Sequence, residues 1–231
     1  MKHTALFLAA ASFASLLQAG EPNTLSADEK AAGWRLLFDG KTTSAWVGLG
    51  KTEFPAKGWI VEDGTLKHVA KGGGGDIVTR DQFEDFEVSW EWRVAAGANG
   101  GFKYNLPEAK KGVGCEYQLI DDGGHPDAKL AGGKRQTASL YDVLVPAADK
   151  KLLPPGEWNS SRIVVKGNHV EHWLNGGKTL EYEFGSEALK TAIAASKFKD
   201  TPGWGIKTKS PFLFQDHGDE MNIRSIKVKT P

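Results

Sequence analysis

The residues best suited to chemistry lie near the end of the chain, in the run Gln215-Asp216-His217-Gly218-Asp219. His217 is the first candidate for a catalytic group, because an imidazole with an unperturbed pKa of about 6.5 can take or give a proton at neutral pH. We expect Gln215 and Asp216, beside it in sequence, to bind substrate. An Asp-His-Gly turn also fits a hydrogen-bonded corner with no chemistry, and both interpretations stay open.

A second group of candidates comes from the middle of the chain. Residues 115–121 are predicted to form a strand, on which Glu116 and Gln118 face the same way because side chains two apart share a face. The glycine-rich loop that follows carries Asp121 and His125. We expect Glu116 and Asp121 to be catalytic, and Gln118 and His125 to bind substrate. The alternative for this loop is a hydrophilic turn whose Asp side chains cap backbone amides.

The clearest strand is predicted over residues 86–94, where apolar and polar residues alternate strictly. Its polar face carries Glu87, Ser89, Glu91 and Arg93. Such a row is either a solvated surface or the lining of a concave groove, and in the second case Glu91 binds substrate.

Most of the chain consists of short β-branched and aromatic runs between turn residues, which is typical of antiparallel sheets. Hairpins are predicted at Asp63-Gly64 and at Gly167-Asn168, and a strand over Ser139–Pro146. Helical spacing of apolar residues occurs between Ser186 and Phe198. We therefore predict an all-β fold, a two-sheet antiparallel jelly-roll sandwich with one short helix. Four tryptophans are expected to pack in the core: Trp46, Trp59, Trp92 and Trp204. The alternative for one of them is an exposed platform on which a sugar ring stacks.

Charge and cysteine content narrow the class of protein. Lys plus Arg and Asp plus Glu both number 29, so no net field attracts nucleic acid or an anionic membrane, and a neutral partner fits better. Cys115 is the single cysteine. The domain must therefore be stabilised by its apolar core without an internal disulfide.

The N-terminus has the pattern of a signal peptide. Lys2 and His3 precede an apolar run from Thr4 to Leu17, and small residues suited to cleavage follow. We predict a signal peptide over residues 1–19, cleavage near Ala19, and a single domain over residues 20–231. This pattern predicts a periplasmic or secreted protein without a transmembrane segment.

Six segments, taken in order, resemble the 3-keto-disaccharide hydrolase domain family, and together they span nearly all of the mature chain. They are Gly33 to Gly40 (GWRLLFDG), Asp76 to Thr79 (DIVT), Asp85 to Val88 (DFEV), Pro155 to Asn159 (PGEWN), Val170 to Gly176 (VEHWLNG) and Gln215 to Asp219 (QDHGD). The resemblance implies a concanavalin A-like jelly roll with a sugar in its concave sheet. This chain departs from the family at Asn99-Gly100-Gly101, where Asn-Ser-Gly is usual, and at Tyr104-Asn105, where an arginine is usual.

The resemblance also implies a reaction, cleavage of the glycosidic bond of a sugar oxidised at carbon 3. The ketone acidifies the proton on carbon 2, so a base can remove it, the group on carbon 1 leaves, and water adds back. A divalent metal could stabilise the enolate, although the spacing of the candidates matches no known ligand pattern. A sugar 3-dehydrogenase is the expected partner that supplies the ketone.

Other functions stay open. A structural or adhesive envelope protein is one, although the sequence offers no repeats or anchor for it. Two further alternatives involve carbohydrate. One is a lectin-like, glycan-binding module without catalysis. The other is a retaining glucanase, which needs two carboxylates flanking the scissile bond. The position that would supply the second carboxylate is the amide Gln118, which cannot act as a nucleophile, and this counts against a glucanase.

Overall fold

The computed structural model describes residues 21–231. The predicted signal peptide, residues 1–19, lies outside this part of the chain. Among the described residues, no helix combines the length and the apolar character needed to cross a bilayer.

Two antiparallel sheets pack face to face and confirm the predicted all-β sandwich. The larger, eight-stranded sheet has the order β11-β10-β9-β6-β13-β4-β3, with β1 also paired to β13, and the five-stranded sheet has the order β2-β5-β12-β7-β8. The strands are β1 (Arg35–Leu36), β2 (Trp46–Gly48), β3 (Trp59–Glu62), β4 (Thr65–His68), β5 (Ile77–Thr79), β6 (Phe86–Val94), β7 (Asn99–Glu108), β8 (Val113–Ile120), β9 (Asn159–Lys166), β10 (His169–Leu174), β11 (Gly177–Glu183), β12 (Leu213–Phe214) and β13 (Met221–Lys229).

The core lies between the sheets and is strongly aromatic. β6 has the predicted bounds, and its apolar face points inward, where Trp90 stacks on Phe102 of the other sheet with ring centroids 4.3 Å apart. Burial of a side chain such as Phe102 contributes about 1.5–3 kcal/mol to stability. The four tryptophans expected in the core are all buried: Trp46, Trp59, Trp92 and Trp204.

A polar network crosses this core. The Tyr104 hydroxyl lies 2.6 Å from His172 Nε2 and 2.7 Å from the Tyr182 hydroxyl, and His172 Nδ1 lies 3.1 Å from the Ala138 carbonyl oxygen. Burial lowers the pKa of His172 to about 4, against the opposing hydrogen bond to Ala138, so the ring is neutral. A neutral ring donates through Nδ1 and accepts through Nε2, which satisfies both of its nitrogens.

Two hairpins follow the sequence prediction. At Asp63 and Gly64 the φ angles are 49° and 70°, the left-handed conformation that a tight two-residue turn requires. The turn at Gly167-Asn168 joins β9 to β10 as expected.

Residues 21–231 contain two short α-helices, one more than predicted. The expected helix is α2 (Glu187–Ala194), whose N-cap is Ser186. The additional helix is α1 (Ala27–Ala31), which begins with a reciprocal capping box between Ser26 and Glu29. Five residues are too few to give a 3.6-residue apolar period, and only the Ser-x-x-Glu spacing marks this helix in the sequence.

The strand predicted over Ser139–Pro146 is wrong. Ala138 and Asp142 have φ angles of 68° and 63°, and these left-handed residues turn the chain where a strand would continue. Residues 137–144, which we call the edge segment, instead lie along the outer edge of β8. Ala138 and Tyr141 donate their backbone N–H groups to the carbonyls of Gln118 and Glu116, both at 3.0 Å. The edge segment therefore lies beside the strand that carries Glu116.

Candidate active site

A cleft of about 270 Å³ lies over the outer face of the five-stranded sheet. Its floor comes from β7 and β8, and its walls come from the turn between these strands, the edge segment, the residues after α2 and the residues after β12. The lining residues are Asn99, Lys103, Lys111, Gly112, Val113, Gly114, Glu116, Gln118, Tyr141, Lys197, Phe198, Gln215 and His217.

The turn after β12 brings His217 into the cleft, and Asp216 holds that turn in place. The Asp216 carboxylate accepts hydrogen bonds from the backbone N–H groups of Gly75 (2.8 Å) and Gly218 (3.0 Å), and its Oδ1 lies 2.8 Å from His68 Nε2. Although burial by itself raises a carboxyl pKa, these amides and the His68 ring hold the pKa of Asp216 below its usual range. Asp216, which we expected to bind substrate, does not line the cleft and instead holds this turn, whereas the His217 side chain lines the cleft and is 42% exposed.

Glu116 is the buried carboxylate of the cleft. It stands opposite Lys103 in the β7–β8 register, is 6% exposed, and places Oε2 3.7 Å from Lys103 Nζ. Burial raises the pKa of Glu116, while Lys103, Lys197 and His217 oppose the rise. A carboxyl that keeps its proton to higher pH than usual is suited to act as a general acid.

Gly101 makes room for the Glu116 side chain. A β-carbon at position 101 would lie in hard contact with Glu116 Oε1 and 2.9 Å from its Cδ. An alanine at this position would therefore force the Glu116 carboxyl to move, even though the backbone conformation at position 101 is ordinary.

Lys197 and Tyr141 form the wall above Glu116. Lys197 Nζ lies 4.1 Å from the centre of the Tyr141 ring and 5.1 Å from that of Phe198. Burial lowers the pKa of Lys197, and Glu116 opposes this shift. The cleft therefore holds two ammonium groups, those of Lys103 and Lys197, beside one carboxyl.

An ion-pair network fixes this wall. Arg135 bridges Asp127 and Asp142, with both nitrogen–oxygen distances at 2.7 Å. The Tyr141 hydroxyl donates to Asp127 Oδ2 (2.8 Å), and the backbone N–H of Lys197 donates to Asp142 Oδ2 (2.8 Å). The two wall residues are thus tied to one guanidinium through two carboxylates.

The structure brings most of the predicted site residues together. His217, Glu116, Gln118 and Gln215 line the cleft. His125 lies at its border, with its ring centroid 6.1 Å from that of His217.

Asp121 does not join this cleft, contrary to the expectation that it is catalytic there. Its two carboxylate oxygens accept hydrogen bonds from the backbone N–H groups of Gly97 (2.8 Å) and Gly123 (2.9 Å). Burial acts to raise its pKa, but the backbone N–H groups of Gly97, Gly124 and Gly123 hold the pKa below the usual value. The Asp121 carboxylate thus caps backbone N–H groups of the loop, which was the alternative interpretation from the sequence.

Glu91 is separated from the cleft by the whole core. It lies on the outward face of β6 in the eight-stranded sheet, where its Oε2 accepts from Arg224 Nε at 2.7 Å. The alternation of β6 is therefore correct, but its polar row belongs to the opposite surface from the cleft and contains ion pairs.

Four residues line the cleft although the sequence analysis did not predict them as catalytic or substrate-binding: Asn99, Lys103, Tyr141 and Lys197. Lys103 and Asn99 face the same side of β7 as Gly101, so the period of two could have placed them beside Glu116 and Gln118. Tyr141 and Lys197 come from irregular segments, for which the sequence offers no such rule. Tyr104 and Asn105, where the family's arginine is usual, are buried and do not line the cleft.

One group among residues 21–231 has the spacing of metal ligands: His169, Glu171 and Glu181. It belongs to β10 and β11 of the eight-stranded sheet. His169 and His172 of β10 point to opposite faces of the sheet, because His172 is in the core while the His169 side chain is 40% exposed. A divalent metal at the cleft stays a prediction.

Comparison with known proteins gives the family. Residues 33–229 match the model of the 3-keto-alpha-glucoside-1,2-lyase-like domain. The chain belongs to this family. A protein of Bacteroides thetaiotaomicron named 3-keto-disaccharide hydrolase is 36% identical, and the match covers 95% of this chain and 86% of that protein.

Solved structures agree with the family assignment. A crystal structure of a candidate glycosyl hydrolase from Parabacteroides distasonis has a TM-score of 0.81 at 37% identity, covering 91% of this chain and 100% of the other. A second protein from that organism, with the same description, has a TM-score of 0.63 at 25% identity, covering 86% of this chain and 99% of the other. The 3-keto-alpha-glucoside-1,2-lyase-like domain thus accounts for nearly all of the sandwich described above.

Proposed function

We propose that this chain cleaves the glycosidic bond of 3-keto glycosides by elimination followed by hydration. Family membership supports the substrate class, since the family model is named for a 1,2-lyase and a 36% identical relative for a 3-keto-disaccharide hydrolase. The observation that carries the proposal is the meeting of Glu116 and His217 in one cleft, with the carboxyl buried and the imidazole accessible.

The proposed reaction has two steps. In the first, a base takes the proton on carbon 2, the electrons of that C–H bond form a double bond to carbon 1, and the C1–O bond breaks as the departing oxygen takes a proton. In the second, water adds across the double bond, with hydroxyl to carbon 1 and hydrogen to carbon 2. The sum is hydrolysis, which reconciles a lyase name with a hydrolase name.

The cleft offers a group for each task. His217 takes the carbon 2 proton, because its ring is accessible and an imidazole works as a base at neutral pH. Glu116 protonates the departing oxygen, because its raised pKa favours the acid form. The ammonium groups of Lys103 and Lys197 stabilise the negative charge that develops on the carbon 3 oxygen.

The aromatic rings of Tyr141 and Phe198 provide the apolar contact for the sugar. Both rings are half-buried in the cleft wall, and the Phe198 ring is held by stacking on Trp204 at 4.8 Å between centroids. Sugars expose apolar C–H faces that pack on such rings. No tryptophan of residues 21–231 lines the cleft, so the tryptophans do not supply this contact.

The decisive experiment compares two substrates. Purified protein is incubated with a 3-keto glycoside and with its unoxidised parent, and release of the aglycone is measured. We expect release from the keto compound alone, and a loss of about 10²-fold or more in the His217→Gln variant. Binding of the glycan without release from either compound would favour a lectin-like module.

We further propose that the chain is exported, with the signal peptide cleaved near Ala19, and that a sugar 3-dehydrogenase supplies its substrate. The apolar run from Thr4 to Leu17 supports export to the periplasm or the medium. Mass spectrometry of the exported protein tests the cleavage position. Adding a 3-dehydrogenase to the unoxidised disaccharide should enable cleavage, and no cleavage after confirmed oxidation would contradict the coupling.

A further inference from the structure

The orientation of the Gln118 amide is set by two acceptors. One of its terminal atoms lies 2.8 Å from the Gly100 carbonyl oxygen and 3.1 Å from Glu116 Oε1. Both neighbours accept hydrogen bonds and neither ordinarily donates them, so this atom is the amide nitrogen. The Gly100 carbonyl oxygen can only accept a hydrogen bond. The orientation of the Gln118 amide is therefore the same whether or not Glu116 carries a proton.

This orientation determines that of Asn99. The Gln118 oxygen then lies 3.1 Å from a terminal atom of the Asn99 amide, and that atom has to be the nitrogen in order to donate. The other end of the Asn99 amide, its oxygen, consequently faces His217 Nε2 at 3.4 Å. Both amides are more than nine-tenths buried, so their hydrogen-bond partners are mainly protein groups.

We propose that Gln118 and Asn99 are positioning residues that keep the hydrogen of neutral His217 on Nε2, so that Nδ1 is the atom that accepts the substrate proton. The role of Nδ1 as the acceptor of the substrate proton rests on the proposed function. The position of the hydrogen on the His217 ring does not. An oxygen facing Nε2 requires a hydrogen there, and a neutral imidazole carries only one.

The Gln118 and Asn99 amides each bind one atom of a reacting group, which leaves the second oxygen of Glu116 and the second ring nitrogen of His217 available for proton transfer. Gln118 donates to Glu116 Oε1, so Oε2 is the oxygen that carries the transferable proton. Asp219 Oδ2 lies 4.0 Å from His217 Nδ1 and already accepts the backbone N–H of Asn99 at 2.9 Å. The carboxylate is too distant to bond the neutral ring, but it stabilises the positive charge once Nδ1 is protonated.

The ring state is measured directly by NMR of protein with ¹⁵N-labelled histidine, at a pH well above the unperturbed imidazole value of about 6.5. The His217→Gln variant identifies the His217 signals by their absence. We expect a protonated Nε2 and an unprotonated Nδ1. The reverse assignment in the wild-type protein would overturn the proposal, and this measurement does not depend on activity.

Two variants test the part played by Asn99. Asn99→Asp still presents an oxygen to Nε2, whereas Asn99→Leu keeps similar bulk without a polar atom. We expect Asn99→Leu to lose the slowly exchanging Nε2–H signal and about 10- to 100-fold in kcat, by analogy with the loss of a hydrogen-bond partner that orients a metal-ligating imidazole. Asn99→Asp should retain the signal and lose less kcat than Asn99→Leu, although its second oxygen has no hydrogen to donate to the Gln118 oxygen.

Each outcome separates the inference from the proposed function. Loss of the Nε2–H signal in both Asn99 variants would mean that an oxygen at position 99 does not keep the hydrogen on Nε2, which contradicts the proposal. A folded Asn99→Leu variant that keeps the protected signal would also contradict it. If Asn99→Leu does not fold, the NMR measurement of the His217 ring in the wild-type protein still tests the proposal. Absence of turnover on keto glycosides, together with the expected ring state, would reject the proposed function alone.

Discussion

The carboxyl group of Glu116 lies across the α-carbon of Gly101 on the neighbouring strand, with the space for a β-carbon filled by its Cδ and Oε1. The glycine has an ordinary backbone conformation, so its role here is steric. This contact fixes where the acidic proton of the cleft is held, and it makes the geometry of Glu116 depend on a residue without a side chain.

Gly101→Ala should displace Glu116 and lower kcat by about 10²-fold, since a shift of about 1 Å in a reacting group can cost that much. The backbone conformation at position 101 tolerates alanine, so thermal unfolding should change little. Gly177→Ala at the start of β11 is the matched control, because its new β-carbon would make an ordinary contact of 3.6 Å with the Leu174 carbonyl oxygen. Wild-type turnover in a folded Gly101→Ala variant would contradict the proposed role of Glu116.

Glu116→Gln should lower kcat by about 10²-fold or more, because an amide cannot serve as the acid. Its pH profile is the sharper readout. The acid form predominates below the raised pKa of Glu116, so the wild-type rate should fall as the pH rises through that value. The variant should lack this alkaline decline. Glu91→Gln on the opposite surface is the control, and a similar loss there would argue against the cleft as the active site.

Lys197→Met should lower kcat by about 10²-fold if the ammonium stabilises the enolate. Because Lys197 opposes the rise in the pKa of Glu116, its removal should also move the alkaline decline to higher pH. Lys190→Met, on the exposed face of α2, should alter neither quantity. An unshifted pH profile would show that Lys197 does not act on Glu116.

Asp121→Asn should destabilise the fold while leaving kcat within a few-fold of wild type. The amide offers only one acceptor for the two N–H groups that Asp121 now binds, and because Gly97 and Gly123 are not fully buried, loss of one of these hydrogen bonds should cost about 0.5–1.5 kcal/mol. The folded pKa of Asp121 lies below its unfolded value of about 3.9, so its stabilisation is present above that pH and is lost as the pH falls through the folded pKa.

Denaturant unfolding at several pH values measures this effect. The difference in unfolding free energy between wild type and Asp121→Asn should be largest near neutrality and should shrink in acid. A loss of turnover of about 10²-fold with unchanged stability would instead return Asp121 to the mechanism.

The sequence predicted those parts of the fold that follow from local periodicity. The alternation in residues 86–94 gave the bounds and the buried face of β6, and turn residues such as Asp63 and Gly64 located hairpins. The edge segment was misjudged as a strand because its apolar residues suit one. Its path depends instead on left-handed residues at Ala138 and Asp142 and on hydrogen bonds to β8, which are features of the folded chain.

The residues of the candidate site were likewise predictable where they follow from local pattern or chemical type, and not where they depend on the folded chain. Glu116 and Gln118 followed from the period of two, and His217 from its chemical type. Lys197 is 81 residues from Glu116 in sequence, and only the docking of Asp142 on its backbone brings it close. The separation of Glu91 from the cleft could not be deduced either, because alternation identifies a polar face without saying which surface of the sandwich it becomes.

The edge segment affects both substrate access and solubility, because it lines the cleft and also covers the outer edge of β8. It occupies the backbone groups along the outer edge of β8, a position where an uncovered strand can pair with another molecule and aggregate. Shortening this segment to admit a bulkier sugar would expose that edge. Variation in substrate size within the family is therefore expected to arise from the side chains at positions such as Tyr141 and Phe198, with the covering backbone left in place.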